Sequence, residues 1–486
     1  MAAKTSKVER TTIAGSIEIP RILNGLWQLA GGHDQDVDVA AAAKAMKPLI
    51  DAGLDAFDMA DHYGPAELVL GEHTRTTTDR PVTAFTKWCP PETGDKSFAT
   101  AEAAIGRALE RMGAAQIALM QYHVWDYTDD TYLVNLAHLR TLQARGKIAH
   151  VGLTNVDTAH LEMLLDSGYE VVSNQVSVSV VDLRVVKGRM ARVCEERGVG
   201  LLAYGTLLGG FLGERWVGVE EPKEEGLNWS LRKYLRFIQV AGGWEAFQGV
   251  LAAVAGVAKK HGVSVAAVAM RWMLDVPAVK AVIIGARLSE QSLEYAQKNV
   301  EAFGFELDEE DRAAIAKAQE DLSDHIKESN EMQKVEEAIA MGKRVEFHSG
   351  SKWEPICGYS RAVRFGNIIR VSGTTANPPQ ELQGQLGVVG GKSAKSQAVA
   401  SLDIIERAVR RLGGSMADVV RTRVMLQREE DVEGVSAAHG WVFNCRGVWA
   451  AHTKTTTTAG LSGDDVLVEI EAEAVVGSGK SVVAIS

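Results

Sequence analysis

The chain has 486 residues, 46% of them hydrophobic and 24% charged, with a formal net charge of −11. A length beyond the usual single-domain ceiling implies at least two domains, and the acidic balance excludes a protein built for non-specific nucleic-acid binding, which needs a basic footprint. Four cysteines, Cys89, Cys194, Cys357 and Cys445, form no CxxC pair, so neither a zinc motif nor a disulfide framework is expected, and a reducing, cytoplasmic setting is the simple reading. The opening "MAAKTSKVERTT" has no apolar signal core, and no apolar run is long enough to predict a membrane span.

Eight short apolar runs follow in chain order: "RILNGLW", "LDAFDMA", "VTAFTK", "IALMQYH", "IAHVGLT", "VVSNQVSV", "VGLLAYG" and "KAVIIGA". Between them lie stretches of helical period such as "VDVAAAAKAMKPLIDAG" and "FATAEAAIGRALERMG", both closed by glycine, a common helix stop. Strand and helix in alternation predict parallel pairing with helices outside. Eight repeats fit a (β/α)8 barrel, with an open doubly wound sheet as the rival. One long interval, Gly205 to Val279, carries "GERWVGVEEPKEEGLNWSLRKYLRF", which reads either as a substrate-contacting insertion or as a solvated loop.

The pattern then changes. Residues 323–350 are highly charged and predict a helical connector. The organisation expected is a barrel over 1–322, this linker, and a small α+β domain over 351–486. The last is built from "YSRAVRFGNIIRVSG", a helix in "KSQAVASLDIIERAVRRLGG", a strand "VVRTRVMLQ", a helix "VEGVSAAHGWVFNCRG" and a final strand "VLVEIEAEAVV". The stretch "GVVGGKS" is not a phosphate loop, because Leu386 stands where the first glycine of GxxxxGK[ST] is required.

Chemistry in a (β/α)8 barrel sits at the C-terminal strand ends. Here those ends carry Asp58 with Tyr63 just beyond, Lys87, and His123. A free phenol is too weak an acid for easy proton exchange at neutral pH. A nearby ammonium is expected to lower its pKa, a carboxylate to keep that ammonium charged and aimed, and a histidine to donate to a substrate oxygen. No HxH or HxxxH spacing involves His123, so no metal site is expected there.

The stretch "FDMADHYGPAELVLGE", with Lys87 in "FTKW" and His123 in "MQYHVWD", resembles the aldo-keto reductase signature over roughly residues 12–320. The resemblance implies a TIM barrel that binds NADPH and passes hydride to an aldehyde or ketone, a small-molecule carbonyl substrate. Tyr63 would be the general acid, Lys87 its partner, Asp58 the counter-ion and His123 the orienting donor. It also implies that Thr154 and Asn155 in "GLTN", with Gln175, bond the nicotinamide carboxamide, and that Tyr204 stacks on the ring. Arg287 would meet the adenosine 2′-phosphate, with Gln291 nearby. Trp27 would line the pocket, unless it is a core tryptophan. "GTL" at Gly205–Leu207 replaces the family's S-P-L.

The second segment, with "GYSRAVRFGNIIRVSG", "AHGWVF" and "LVEIEAEA", resembles the Rid family over about residues 350–477. That implies a chorismate-mutase-like α+β fold, a homotrimer through the C-terminal domain, and clefts between subunits where catalytic members hydrolyse imines. The family's substrate-holding arginine falls on Lys454, which cannot offer a bidentate fork. Tyr359 and Glu469 occupy matching positions, with a structural role open for each. The reading expected is therefore an NADPH-dependent carbonyl reductase with a Rid-like module for oligomerisation or ligand binding. An NADPH-binding regulatory subunit, or a reductase that is also an imine deaminase, are the alternatives.

Overall fold

The computed structural model describes residues 7–30, 37–77, 81–90, 96–127, 129–322, 342–351, 353–445 and 452–480. Its first half is a closed parallel barrel. The staves are β3 (Ile22–Gly25), β4 (Ala56–Asp58), β5 (Thr83–Trp88), β6 (Ile117–His123), β7 (Ile148–Thr154), β8 (Ser173–Ser177), β9 (Gly200–Tyr204) and β10 (Val279–Gly285), and β10 pairs back onto β3. All eight predicted runs are staves, and the open-sheet rival is excluded by the β10–β3 closure. The runs are apolar throughout because each stave is buried on both faces. Leu23, Ala56, Phe85, Leu119, Leu202 and Ala281 fill the lumen.

A hairpin of β1 (Arg10–Ile13) and β2 (Ile17–Pro20) plugs the N-terminal end of the barrel. Its Ile13 and Ile19 join the lumen cluster, while Arg10 reaches Asp55 just before β4 and Ser16 meets His150 at the start of β7. Some outer helices begin at a capping side chain. Ser97 caps Phe98–Met112 by accepting from the Thr100 amide, Ala101, Ala104, Ile105, Ala108 and Met112 are buried, and Gly113 ends the helix at φ 63°. The long interval before β10 is largely helical: Trp229–Val240, Gly243–His261 and Val265–Leu274. The first of these buries Leu231, Tyr234, Leu235 and Ile238, so this part of the insertion packs on the barrel instead of hanging as a solvated loop.

The second domain is a six-stranded sheet ordered β11-β12-β13-β16-β14-β15, from β11 (Val345–Phe347), β12 (Ala362–Phe365), β13 (Ile368–Thr375), β14 (Val419–Leu426), β15 (Thr453–Thr458) and β16 (Val468–Val475). The helices Ala394–Arg411 and Val432–Cys445 pair with each other, and Ala394–Arg411 covers β13 and β16. Two strands were not expected. β15 lies in the threonine-rich "TKTTTT", whose β-branching suits an edge strand. β11 lies inside the segment expected to be a helical connector, where Val345, Glu346 and Phe347 pair with β12. That corrects the connector over 345–347, and residues 323–341 of it lie outside the described residues.

Helix Ala394–Arg411 also packs against helix Thr158–Asp166 of the barrel. Polar contacts stitch the two domains together. Lys395 Nζ meets the Glu162 carboxylate at 2.8 and 2.9 Å, Ser396 Oγ donates to Asp166 at 2.5 Å, the Gly390 amide donates to Ser167 Oγ at 2.7 Å, and Arg407 reaches Asp130 at 3.1 Å.

Candidate active site

The barrel register brings the predicted strand-end residues to one rim. Asp58 ends β4, Lys87 lies next to last in β5, and His123 ends β6. Lys87 Nζ donates to Asp58 Oδ2 at 2.5 Å and to Met59 O at 2.8 Å, and the two charged side chains are only 2% and 3% exposed. Gln121 and Gln175 each donate to Asp58 Oδ1 at 2.9 Å, so the carboxylate is held from three sides. Burial opposes the ammonium, but Asp58 and the neighbouring phenol hold the Lys87 pKa above its ordinary value. Lys87 therefore stays charged.

Tyr63 stands half-buried on the turn after β4, with Lys87 Nζ 4.9 Å from its ring centroid. Arg111, from helix Phe98–Met112, donates to the carbonyls of Asp61 and Gly64 and so clamps the turn on both sides of Tyr63. The next helix, Ala66–Thr76, carries Glu67, buried at 1% exposure, which accepts from Thr86 Oγ1 at 2.7 Å beside Lys87. Thus Glu67, the first acidic residue of "PAELVLGE", is a strut between the tyrosine turn and the lysine strand. Lys87 lowers the Tyr63 pKa as expected, but burial outweighs it and, with Asp58 adding to the rise, lifts the phenol to about 12. The resting phenol is fully protonated at neutral pH.

His123 is pulled down to about 4 by burial, and then by Lys87 and His62, so its imidazole is neutral. Its Nε2 accepts from Asn155 Nδ2 at 2.7 Å, and its Nδ1 is buried without a partner among the described residues. Asn155 also accepts from the Tyr204 hydroxyl at 2.8 Å. Thr154 Oγ1, at the end of β7, is buried and has no hydrogen-bond partner among the described residues. An orphan hydroxyl beside an amide side chain fits a carboxamide that both accepts and donates. Gln175 is turned inward, its amide nitrogen spent on Asp58 and on Gln121 Oε1 at 2.8 Å.

Trp27 is half-buried at the rim, 5.3 Å from Trp229, so it is not a core tryptophan. Lys233, from the inserted helix, lies 4.9 Å from the Trp27 ring and 5.7 Å from the Tyr204 ring. Arg287 and Gln291 lie exposed just past β10, with Gln291 Oε1 accepting from Tyr295 at 2.8 Å. Sequence reasoning missed Gln121, Arg111 and Lys233. Gln121 had a signal, since it stands two residues before His123 and shares its inward face. Arg111 and Lys233 reach the rim only through packing of their helices. Asp61, His62 and Cys89 bring potential ligand atoms within 4.8 Å of one another beside Tyr63, with burial, and then Asp61, raising the Cys89 thiol.

In the second domain, Lys454 on β15 registers with Thr422 and donates to Ser436 Oγ of helix Val432–Cys445 at 2.8 Å. Glu469 on β16 registers with Met425, an odd number of residues away from Thr422, and so points from the opposite face. Tyr359 accepts from Arg361 at 3.3 Å, and the Arg361 charge acts on Glu469. Within one protomer, Lys454 therefore does not join Tyr359 and Glu469.

Comparison with known proteins agrees with this geometry. Residues 21–320 match the model of the aldo/keto reductase family, and residues 350–476 match the family described as endoribonuclease L-PSP, the Rid family. Aldo-keto reductase str7 of Strobilurus tenacellus is 24% identical over 66% of this chain and 93% of its own. Flagellar radial spoke protein 5 of Chlamydomonas reinhardtii is 32% identical over 26% of this chain, which spans only 25% of that protein. The glycerol dehydrogenase AKR11B4 of Gluconobacter oxydans superposes with a TM-score of 0.54 at 19% identity, over 67% of this chain and 99% of that one. At that identity the likeness speaks for the fold. Among the described residues no single helix is long and apolar enough to cross a membrane.

Proposed function

Because the chain belongs to the aldo/keto reductase family, we propose that its barrel is an NADPH-dependent oxidoreductase that reduces an aldehyde or ketone to an alcohol. The observation that carries this reading is the buried Asp58–Lys87 pair set beneath the Tyr63 ring. NADPH, when bound, would supply the hydride for carbonyl reduction. Thr154, Asn155 and the remaining acceptor of Gln175 would hold its carboxamide, Tyr204 would stack on its ring, and Arg287 with Gln291 would meet the adenosine phosphate, where a guanidinium suits the charge. Trp27 would line the carbonyl pocket.

The residues of the chain then manage the proton. Tyr63, kept protonated by burial, donates its hydroxyl proton to the carbonyl oxygen as negative charge develops there. The phenolate left behind is stabilised by the adjacent Lys87 ammonium, which Asp58 keeps charged. This charge acts after proton transfer begins, which is where it lowers the barrier. His123, neutral, orients the oxygen once Asn155 engages the carboxamide in place of the imidazole.

The test is NADPH oxidation against a panel of aldehydes and ketones, with wild type and Tyr63→Phe. Turnover that falls by orders of magnitude in Tyr63→Phe, at little changed cofactor affinity, supports the reading. Tight NADPH binding with no turnover on any carbonyl would favour a regulatory subunit instead. For the second domain we propose oligomerisation or ligand binding, with the homotrimer as the assembly to test by sedimentation.

A further inference from the structure

The loop after β7 carries Asn155 in the left-handed region, φ 60°, a conformation asparagine adopts more readily than most non-glycine residues, and contacts from outside the loop hold it in place. The Tyr127 hydroxyl donates to Asn155 O at 3.3 Å and accepts from the Asp157 amide at 2.8 Å, gripping the loop on both sides of Val156. The Tyr127 ring in turn lies flat on the His160 ring, with centroids 3.4 Å apart and planes 6° from parallel. His160 is fully buried, and its two nitrogens face two carboxylates: Nδ1 meets Asp157 at 2.8 Å, and Nε2 meets Asp403 Oδ2 at 2.6 Å. Asp403 belongs to helix Ala394–Arg411 of the second domain. An imidazole that donates from both nitrogens must be protonated. Burial opposes that charge, but Asp157 and Asp403 together hold the His160 pKa up at about 10.

We infer that Tyr127 and His160 are positioning residues of the reductase site, and that Asp403 completes them from the second domain. The three fix the loop that presents Asn155 to the cofactor. The inference rests on the reading of Asn155 given above for what the loop does, and on the geometry alone for what holds it. It gives the fused domain a part in the barrel's chemistry that needs no ligand in the second domain. Neither Tyr127, His160 nor Asp403 touches the reacting atoms. Their effect passes through the Asn155 backbone, and from there to the His123 and Tyr204 contacts of its side chain.

The experiment compares full-length wild type with Tyr127→Phe, Asp403→Asn and the control Lys395→Met. The control removes an interdomain ion pair of similar length that does not touch the loop. Two readouts are taken: amide hydrogen exchange over residues 153–158 without cofactor, and the dissociation constant for NADPH. Tyr127→Phe keeps the ring stack and deletes the grip, so it should speed exchange in the loop and weaken NADPH about tenfold, the worth of roughly one to two hydrogen bonds. Asp403→Asn should move both readouts in the same direction, Asp403→Glu should restore them in part, and Lys395→Met should leave both unchanged. Wild-type exchange in Tyr127→Phe and Asp403→Asn would overturn the inference. So would an equal effect in Lys395→Met, which would mean that general domain docking holds the loop. If wild type binds no NADPH, it is the reductase reading that fails, and the exchange data still decide what holds the loop.

Discussion

Asp58→Asn is the perturbation that tests the site most directly. Asp58 and Lys87 are 3% and 2% exposed, and the ammonium also donates to the Met59 carbonyl. Removing one member of a buried ion pair leaves the other charge uncompensated, which costs about 3–5 kcal/mol. The alternative open to the protein is to release the Lys87 proton, because burial then acts on that side chain without its main opposing charge. Either way the phenolate of Tyr63 loses its stabilising cation. We expect urea unfolding of the barrel to show a loss of about 3–5 kcal/mol, and carbonyl reduction to fall roughly 10²–10⁴-fold. The double variant Asp58→Asn/Lys87→Met should recover most of the stability, since neither charge remains to be buried, and none of the activity. A single variant that loses less than about 1 kcal/mol, or a double variant no more stable than Asp58→Asn, would refute the reasoning that a buried charged pair organises the rim.

Three further outcomes follow from the same geometry. Tyrosinate absorbance titrated in wild type and in Tyr63→Phe should show no Tyr63 ionisation below pH about 11, because a pKa raised to about 12 keeps the phenol protonated at all lower pH. A difference signal near pH 8 would contradict that. Gly71→Ala should destabilise the barrel by about 1–3 kcal/mol in thermal or urea melts, since a methyl there would meet the Arg111 carbonyl oxygen, a backbone atom that cannot step aside. Arg287→Ala should weaken NADPH by about 10–100-fold, the worth of charged hydrogen bonds, and leave NADH affinity unchanged. Titration of each cofactor checks the ratio.

Much of the barrel was legible because its physics is local. Each stave is a short apolar run, several helices carry their own cap or glycine stop, and alternation of the two permits few topologies. Asp58, Lys87 and His123 were legible for the same reason, as polar residues closing apolar strands. What stayed hidden depends on contacts between distant segments. Lys454 and Glu469 look equivalent along the chain, and only the register of β14 with its two neighbours puts them on opposite faces. The connector over 345–347 reads as charged helix, yet pairing with β12 makes it a strand.

The acidity of Tyr63 marks the boundary between the two kinds of information. Chain order by itself determined that a phenol, an ammonium and a carboxylate would meet at one rim, because parallel strand ends must gather there. Only the tertiary structure decided which way the phenol shifts, because desolvation depends on what packs around the turn that carries it, and here burial outweighs the lysine. The same holds for His160. Nothing near it in sequence foretells that its second carboxylate arrives from 243 residues away, and Asp157 and Asp403, one from each domain, together hold its charge.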